Sequence, residues 1–312
     1  MLAVVAKGTD PAEPLGGLYV GEWPEAAVRG EWTTVTVHAA SLNHHDLWTL
    51  RGVGPGTRRV PVVLGSDAAG VDEDGNEVII HPVVGDPAAG GGDETLDPGR
   101  TLFGEEHDGT CAQRVAVPVR NLVPKPPGLS FEEAACLPGA WLTAYRMLFR
   151  KAALRPGDTV LVQGAGGGVS TALITLGAAA GFRVWVTGRS EERRESALRI
   201  GAHDVFSAGA RLPARVDAVM ETVGEATWAH SLRSLRPGGR VVVSGGDNRN
   251  HAAGRPGPYL LPAVDDRRIH PGHTRRPTGT LPVLRRAPAV SGHRPGAAAG
   301  TGPEWLPSAA ER

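Results

Sequence analysis

Cysteine is scarce in this chain: Cys111 and Cys136 are the only two among 312 residues. They lie far apart, and the sequence contains no Cys-x-x-Cys pair. A disulfide scaffold and a cysteine-rich zinc site are therefore both disfavoured, and we expect a reducing, cytoplasmic environment.

Excess charge and long apolar runs are missing as well. The formal net charge is +0 at pH 7, so the charge balance does not favour a nucleic acid or an anionic membrane as partner. The apolar run at the N-terminus is too short for a secretory signal peptide, and no stretch is long enough to span a bilayer. We therefore expect a small molecule to be the binding partner.

A β-rich part comes first and covers residues 1–122. Short runs that contain β-branched residues are separated by Gly, Pro and Asp, which predicts strands at 2–6, 17–20, 34–39, 77–81 and 115–117. The glycine-rich stretch 85–104 is typical of a loop. The irregular spacing of these strands predicts a compact β-rich domain and not a βαβ array.

Residues 123–246 differ because predicted strands and helices alternate along them. Ser130 is expected to cap a first helix, and a second helix covers 141–151. Strands are then predicted at 159–163, 183–187, 204–206, 217–220 and 240–244, with helices at 168–180, 191–200 and 226–235. This alternation predicts an α/β domain with a doubly wound parallel sheet of the Rossmann type.

Residues 247–312 form a third region with an unusual composition. They contain ten prolines, a single isoleucine and no phenylalanine or lysine. This composition predicts an irregular, disordered segment. We hypothesise an out-of-frame translation of a GC-rich gene, because a shifted reading frame enriches Ala, Pro, Gly and Arg. The alternative is a genuine basic extension, and resequencing near codon 247 distinguishes the two.

The glycine-rich turn at residues 164–168 is the clearest local motif. It follows an apolar strand and precedes a helix of small residues. Glycines let backbone N–H groups approach a pyrophosphate, and the start of a helix favours phosphate charge. A glycine-rich surface loop is the alternative, but the surrounding β/α units favour a dinucleotide site.

The end of the second strand of this domain bears on the choice of cofactor. NAD sites usually place Asp or Glu there, whereas this chain has Thr187, Gly188, Arg189 and Ser190. Arg189 could pair with a 2′-phosphate, so NADP(H) is favoured over NAD(H); a solvated arginine at a helix start is the alternative. The residues expected to contact the cofactor are Gly164, Gly166, Gly167, Gly168, Val169, Thr187, Arg189, Ser190, Val223, Gly224 and Ser244.

Five short strings, in this order, resemble the medium-chain dehydrogenase/reductase superfamily, and most of all its zinc-independent, quinone oxidoreductase-like branch. They lie at residues 41–48, 65–70, 142–145, 164–169 and 235–240. The resemblance covers about residues 1–246. It implies a GroES-like catalytic domain followed by a Rossmann domain, and a homodimer if the C-terminus were intact.

The same resemblance bears on metal binding. Zinc-dependent members carry a cysteine near the position of Asn43 and Gly-His-Glu where this chain has Gly65-Ser66-Asp67. They often carry a four-cysteine lobe in the region that matches 85–104. Because these ligands are missing, we expect no zinc and no other metal. His44, His45 and Asp46 are alternative ligands, but the two adjacent histidines would point to opposite faces in an expected extended strand.

The resemblance finally implies catalytic positions. In the quinone oxidoreductase-like branch, the residues that match Asn43, Asp46 and Thr143 lie beside the nicotinamide. A strand-end hydrogen bond for Asn43 and a turn or helix cap for Asp46 are open alternatives. We hypothesise an NADPH-dependent reductase of quinones, enones or related carbonyls that works without zinc. A non-catalytic or inactive nucleotide-binding remnant and a zinc-type alcohol dehydrogenase are the alternative functions.

Overall fold

The β-rich character predicted for the N-terminal part is present in the computed structural model, which describes residues 1–28, 30–53 and 59–244. These residues form two units that divide between Gly139 and Ala140. The sequence predicts the change at residues 122–123. Residues up to Gly139 belong to the first unit because Ala134 and Ala135 pack on Ala69 and Ile79. The predicted disordered or out-of-frame segment 247–312 lies outside the described residues.

The first unit is built from antiparallel sheets. Its strands are β1 (Leu2–Ala6), β2 (Leu18–Glu22), β3 (Trp32–Ser41), β4 (Val62–Val63), β5 (Asp67–Asp72), β6 (Glu77–Ile80), β7 (Val83–Val84), β8 (Thr101–Leu102), β9 (Arg114–Pro118) and β10 (Leu122–Pro124). They form sheets of order β2-β1-β4, β10-β6-β5-β3-β9 and β7-β8. Short 3-10 helices lie at Pro14–Gly17, Glu94–Leu96 and Val119–Asn121. The stretch predicted as a loop therefore contains one 3-10 helix and the short strand β8.

Two helices complete the first unit, α1 (His44–Leu50) and α2 (Phe131–Ala135). Ser130 caps α2 as predicted, since its Oγ accepts a hydrogen bond from the backbone N–H of Glu133. The extended conformation expected around His44 and His45 is wrong. The chain turns into α1 there because Leu47 and Leu50, three residues apart, are buried together on one side of a helix.

The second unit contains one parallel sheet, as predicted. Its strands are β11 (Thr159–Gln163), β12 (Arg183–Gly188), β13 (Asp204–Ser207), β14 (Val216–Glu221) and β15 (Leu235–Val243), in the order β13-β12-β11-β14-β15. All four neighbouring pairs are parallel. This is the 3-2-1-4-5 order of a dinucleotide-binding fold, which reverses direction between β11 and β14. The last strand begins earlier than predicted, with an irregularity in register between Val216 and Ala218.

The helices of the second unit are α3 (Leu142–Tyr145), α4 (Gly168–Ala179), α5 (Glu191–Arg199) and α6 (Glu225–Ser234). The single helix predicted at 141–151 is instead divided, because α3 lies between π-helical turns at Leu137–Trp141 and Arg146–Lys151. Val160, Val162, Leu173 and Val184 are among the buried core residues of this unit. Across residues 1–28, 30–53 and 59–244, none of the helices has both the length and the apolar character that a membrane span requires.

Candidate functional site

The glycine-rich turn joins β11 to α4, and two of its glycines adopt backbone conformations that other residues rarely take. Gly164 and Gly166 have φ angles of +84° and +110°, which favour glycine. A Cβ atom on Gly164 would lie 2.9 Å from Cγ2 of Val223. Gly167 is the N-cap of α4, a helix of 12 residues, and it has no side chain that could accept a hydrogen bond. The first backbone N–H groups of the helix therefore have no side-chain acceptor at the cap. The turn therefore has the geometry of an anion-binding site.

At the end of β12, the predicted residues divide into structural and exposed ones. The hydroxyl of the buried Thr187 donates a hydrogen bond to Oε1 of Gln163. Oγ of Ser190 caps α5 by accepting a hydrogen bond from the backbone N–H of Arg193 at 3.3 Å. Arg189 is exposed. Residues 187–190 include no carboxylate, as the sequence shows. Ser190 is exposed as well, so Arg189 is the charged residue among the exposed ones at this strand end.

Arg193 is a candidate that the sequence prediction missed. Its Cδ lies 3.1 Å from the position that a Cβ of Gly166 would take, so its side chain packs close to the glycine turn at Gly166. The neighbouring Arg194 donates from Nη1 to the backbone oxygens of Gly188 and Arg189, at 2.8 and 3.2 Å. The available signal was the place of Arg193 in the first turn of the helix that follows β12, close in sequence to Arg189.

Glu221, at the end of β14, holds the loop that contains Val223 and Gly224. One carboxylate oxygen accepts hydrogen bonds from the N–H groups of Val223 and Gly224, at 2.9 and 3.0 Å, and from the hydroxyl of Thr227 at 2.7 Å. The other oxygen accepts from the hydroxyl of Ser231. Glu221 is fully buried, and its backbone oxygen accepts from the N–H of Ser244 at 3.0 Å. Val223 and Gly224 are therefore held by one buried carboxylate, and Ser244 is bonded to the backbone of the same residue.

Gln163 extends this network to the first two strands of the sheet. Its Nε2 donates to Nδ1 of His230 at 2.8 Å and to Oγ of Ser231 at 2.9 Å, while its Oε1 accepts from Thr187. The carboxyl ends of β11, β12 and β14 are thus joined by one buried polar network. The remaining predicted residue of this region, Val169, lies in the first turn of α4.

In the first unit, Asp46 fixes the beginning of α1. Its two carboxylate oxygens accept from the backbone N–H groups of Asn43, at 2.8 Å, and of Gly65, at 2.9 Å. Burial raises the pKa of Asp46, although these hydrogen bonds lower it in part. The helix-cap role that the sequence left open for Asp46 is therefore present in the structure.

Asp67 is the centre of a polar cluster that the sequence prediction did not single out. One oxygen accepts from Oγ of Ser41 and Nδ2 of Asn43, both at 3.0 Å, and from the backbone N–H of Gly139 at 3.1 Å. The other accepts from Oγ of Ser66 at 3.3 Å. Burial raises the pKa of Asp67 to about 6, against the lowering effect of the hydrogen bonds from Asn43 and Ser41.

A buried pair, His45 and Glu105, links α1 to the segment after β8. Nε2 of His45 contacts Oε1 of Glu105, and Nδ1 of His45 is buried without a partner. Burial lowers the pKa of His45. The hydrogen bond to Glu105 and the negative charge of Glu105 act in the opposite direction and outweigh burial, so the net shift of the pKa is upward. Next to this region, burial raises the pKa of the Cys111 thiol far above its ordinary value, so this thiol is not a ready nucleophile.

The residues that match zinc ligands form hydrogen bonds with each other instead. Nδ2 of Asn43 donates to Oγ of Ser66 at 3.3 Å and to Asp67. In the part of the chain that the structure describes, no group of three or more His, Cys, Asp or Glu side chains is arranged to hold a metal ion. An amide and a hydroxyl are poor zinc ligands, so this donor set does not fit zinc. Thr143, the third predicted catalytic residue, is buried in α3 of the second unit.

Two family models match this chain. The model described as "Alcohol dehydrogenase GroES-like domain" matches residues 29–127, and the one described as "Zinc-binding dehydrogenase" matches residues 168–261. Among curated relatives, the acryloyl-coenzyme A reductase of Sulfurisphaera tokodaii is 32% identical over 262 residues, which cover 78% of this chain and 77% of the relative.

Solved structures show the same likeness. An NAD-dependent alcohol dehydrogenase matches with a TM-score of 0.71 at 33% identity, covering 79% of this chain and 78% of that one. The quinone oxidoreductase of Thermus thermophilus, solved also in its complex with NADPH, matches with a TM-score of 0.59 at 30% identity, covering 78% and 73%. The fold described above thus recurs in these proteins.

Proposed function

Since this chain belongs to the medium-chain dehydrogenase/reductase superfamily and is an NAD(P)-dependent oxidoreductase, we propose that it transfers a hydride from NADPH to a quinone, an enone or a related carbonyl without zinc. The observation that carries this proposal is the glycine turn, with Arg193 close to Gly166 and Arg189 exposed at the end of β12. The turn fits a dinucleotide because it offers the N–H groups of a helix start and four glycines.

The preference for NADPH over NADH is supported by charge at the end of β12. NAD sites usually bind the ribose 2′-hydroxyl with a carboxylate at this position, and residues 187–190 contain no carboxylate. Arg194 is engaged with backbone oxygens, whereas Arg189 and Arg193 can place guanidinium groups at a 2′-phosphate. The NADPH complex of the Thermus thermophilus enzyme supports the same choice, while the NAD-dependent alcohol dehydrogenase is the contrary precedent.

The class of acceptor is supported by the relatives. The names acryloyl-coenzyme A reductase and quinone oxidoreductase both indicate a carbonyl that is conjugated to a carbon–carbon double bond. Such acceptors take a hydride at carbon while negative charge develops on oxygen. A chain without a Lewis acid depends for this reaction on positioning and on hydrogen bonds to that oxygen.

Different residues of this chain bind the cofactor and position the reacting groups. NADPH supplies the hydride when it is bound, and the glycine turn with α4 binds its phosphates. Glu221 holds the Val223–Gly224 segment in place. Asn43, Asp46 and Thr143 are the proposed catalytic positions, with Asp46 fixing Asn43 at the start of α1. Thr143 carries a hydroxyl that can donate to the developing oxyanion.

The test compares NADPH and NADH oxidation with a panel of quinones and enones, using protein from a gene whose 3′ end has been verified. We expect turnover with NADPH. Arg193→Ala should weaken NADPH use by about 10- to 100-fold, since a hydrogen bond between charged groups contributes about 1.5–3 kcal/mol, and leave NADH use unchanged. Arg199→Ala, at the other end of α5, is the matched control. A preference for NADH in the parent, or equal effects of both variants, would contradict the proposal.

The alternative functions give different outcomes in the same protein sample. NADPH binding detected by fluorescence, with no turnover of any acceptor, would support a non-catalytic or inactive nucleotide-binding protein. One zinc ion per chain in elemental analysis would support the zinc-type alcohol dehydrogenase. The mutual hydrogen bonds of Asn43, Ser66 and Asp67 favour a zinc-free protein.

A further inference from the structure

The amide of Asn43 has only one orientation that its neighbours allow. Asp67 is fully buried, and an ionised carboxylate can only accept hydrogen bonds. The group of Asn43 that lies 3.0 Å from Asp67 must therefore be the NH2 group. A flipped amide would place its carbonyl oxygen against the carboxylate, where two acceptors repel each other.

Ser66 strengthens this assignment. Its hydroxyl donates to the free oxygen of Asp67, at 3.3 Å, so its lone pairs are left for the second hydrogen of the Asn43 amide, also at 3.3 Å. Both N–H groups of Asn43 are thus directed at protein acceptors. Asn43 itself is half-buried, so part of its side chain remains accessible.

The carbonyl oxygen of Asn43 is the part that remains for a bound molecule. It lies at the beginning of α1, where Asn43 and Asp46 form a capping box. A carbonyl oxygen has two lone pairs, so it can accept a second hydrogen bond beside the one in the cap. The backbone around Asp67 is closely packed, since a Cβ on Gly139 would lie 2.3 Å from its Oδ2. The acceptor that orients Asn43 therefore has little room to move.

We infer that Asp67 is a positioning residue that makes Asn43 a hydrogen-bond acceptor, so that Asn43 receives an N–H or O–H group of the bound cofactor or product and gives none to the substrate oxyanion. This inference rests on the proposed function, in which Asn43 contacts the reacting molecules. Two donors have the required chemistry: the carboxamide N–H of the nicotinamide, and a hydroxyl of the quinol formed in the reaction.

The experiment measures binding directly, by tryptophan fluorescence or calorimetry. In one arm, NADP is compared with its analogue whose nicotinamide carboxamide is replaced by an acetyl group, which cannot donate. In the other arm, a quinol is compared with its dimethyl ether in the presence of saturating NADP. In one of the arms, the parent should bind the donating ligand about 3- to 10-fold more tightly, as one neutral hydrogen bond provides.

Asn43→Leu should abolish that discrimination, and Asp67→Asn should reduce it, because an amide at position 67 can donate as well as accept. Asp72→Asn is the matched control, with the same substitution in the same strand, β5, and should leave discrimination unchanged. If Asp67→Asn does not fold, Ser66→Ala, which removes one acceptor of the Asn43 amide, serves in its place.

The outcomes separate the inference from the proposed function. Loss of discrimination in the cofactor arm or in the quinol arm identifies the donor and supports the inference. The inference is overturned if the parent binds NADP but, in both arms, prefers the donating ligand no more strongly than Asn43→Leu does. A parent that binds no NADP would contradict the proposed function itself.

Discussion

Replacing Glu221 by alanine tests whether one buried carboxylate maintains the strand ends of the second unit. Glu221→Ala removes the acceptor of two backbone N–H groups, those of Val223 and Gly224, and of two hydroxyls, those of Thr227 and Ser231. The carboxylate is fully buried. Buried donors that lose their acceptor carry an unrecovered desolvation cost.

The magnitude follows from the four donors. Each hydrogen bond to a charged group contributes about 1.5–3 kcal/mol, but the variant no longer has to desolvate a carboxylate, and water can occupy part of the vacated space. We therefore expect the free energy of unfolding to fall by about 3–5 kcal/mol, less than the sum of four such hydrogen bonds because these two effects offset part of the loss. Glu221→Gln keeps one acceptor oxygen, so its loss should be about 1–2 kcal/mol.

Urea unfolding followed by circular dichroism measures this loss, with hydrogen exchange at the amides of Val223 and Gly224 as a local readout. Because the chain has two units, the midpoint and the slope of the urea transition should be compared between the parent and the variant before a single free energy of unfolding is fitted. Glu195→Ala, at an exposed position of α5, is the control and should change stability by less than about 0.5 kcal/mol. The network does not stabilise the loop if Glu221→Ala loses no more stability than Glu195→Ala and the amides of Val223 and Gly224 exchange as fast as in the parent.

Three further changes test other parts of the molecule. The pKa of Asp67 is raised to about 6 from 3.8, so the folded state binds this proton more tightly than the unfolded state does. Stability should therefore fall by about 3 kcal/mol as pH rises from about 3 to 7, and a urea titration at several pH values should show less of that fall in Asp67→Asn. The pKa of His45 is raised through Glu105, so its stabilising contribution is complete below about pH 6.5 and is lost as pH rises through the folded value. Melting temperatures measured from pH 6 to 9 should lose this dependence in Glu105→Gln. Gly164→Ala should weaken NADPH binding at least about tenfold because of its φ of +84° and its 2.9 Å approach to a neighbouring side chain, whereas Gly157→Ala, with a φ of +93° and open space, should lower stability alone; equal NADPH affinities would contradict this reasoning.

The parallel sheet could be predicted from the sequence because its strands are buried on both faces. Val160, Leu161 and Val162 form a continuous apolar run between turn residues, and β11 has the predicted bounds. The glycine turn was equally readable, since strand, glycines and helix follow each other within a few residues. Local patterns of this kind need no knowledge of distant partners.

The helix α1 and the two central carboxylates could not be predicted in the same way. The seven residues of α1 are too few to show a clear helical period, and the capping bond between Asn43 and Asp46 is visible only in three dimensions. The backbone N–H of Gly139 reaches Asp67 across 72 positions of the sequence. A single Asp in a strand gives no signal of such a partner.

The two units solve the problem of a buried carboxylate in the same way. An ionised carboxylate is costly to bury unless a cation or several hydrogen-bond donors replace its water. Glu221 has two backbone N–H groups and two hydroxyls, and Asp67 has one backbone N–H, one amide and two hydroxyls. Around Asp67, two of these donors are the side chains of Asn43 and Ser66, at the positions that the sequence resemblance matches to zinc ligands. Short polar side chains at these positions therefore have a physical reason: they stabilise a buried carboxylate by hydrogen bonding, and in doing so they hold the amide on which the proposed chemistry depends.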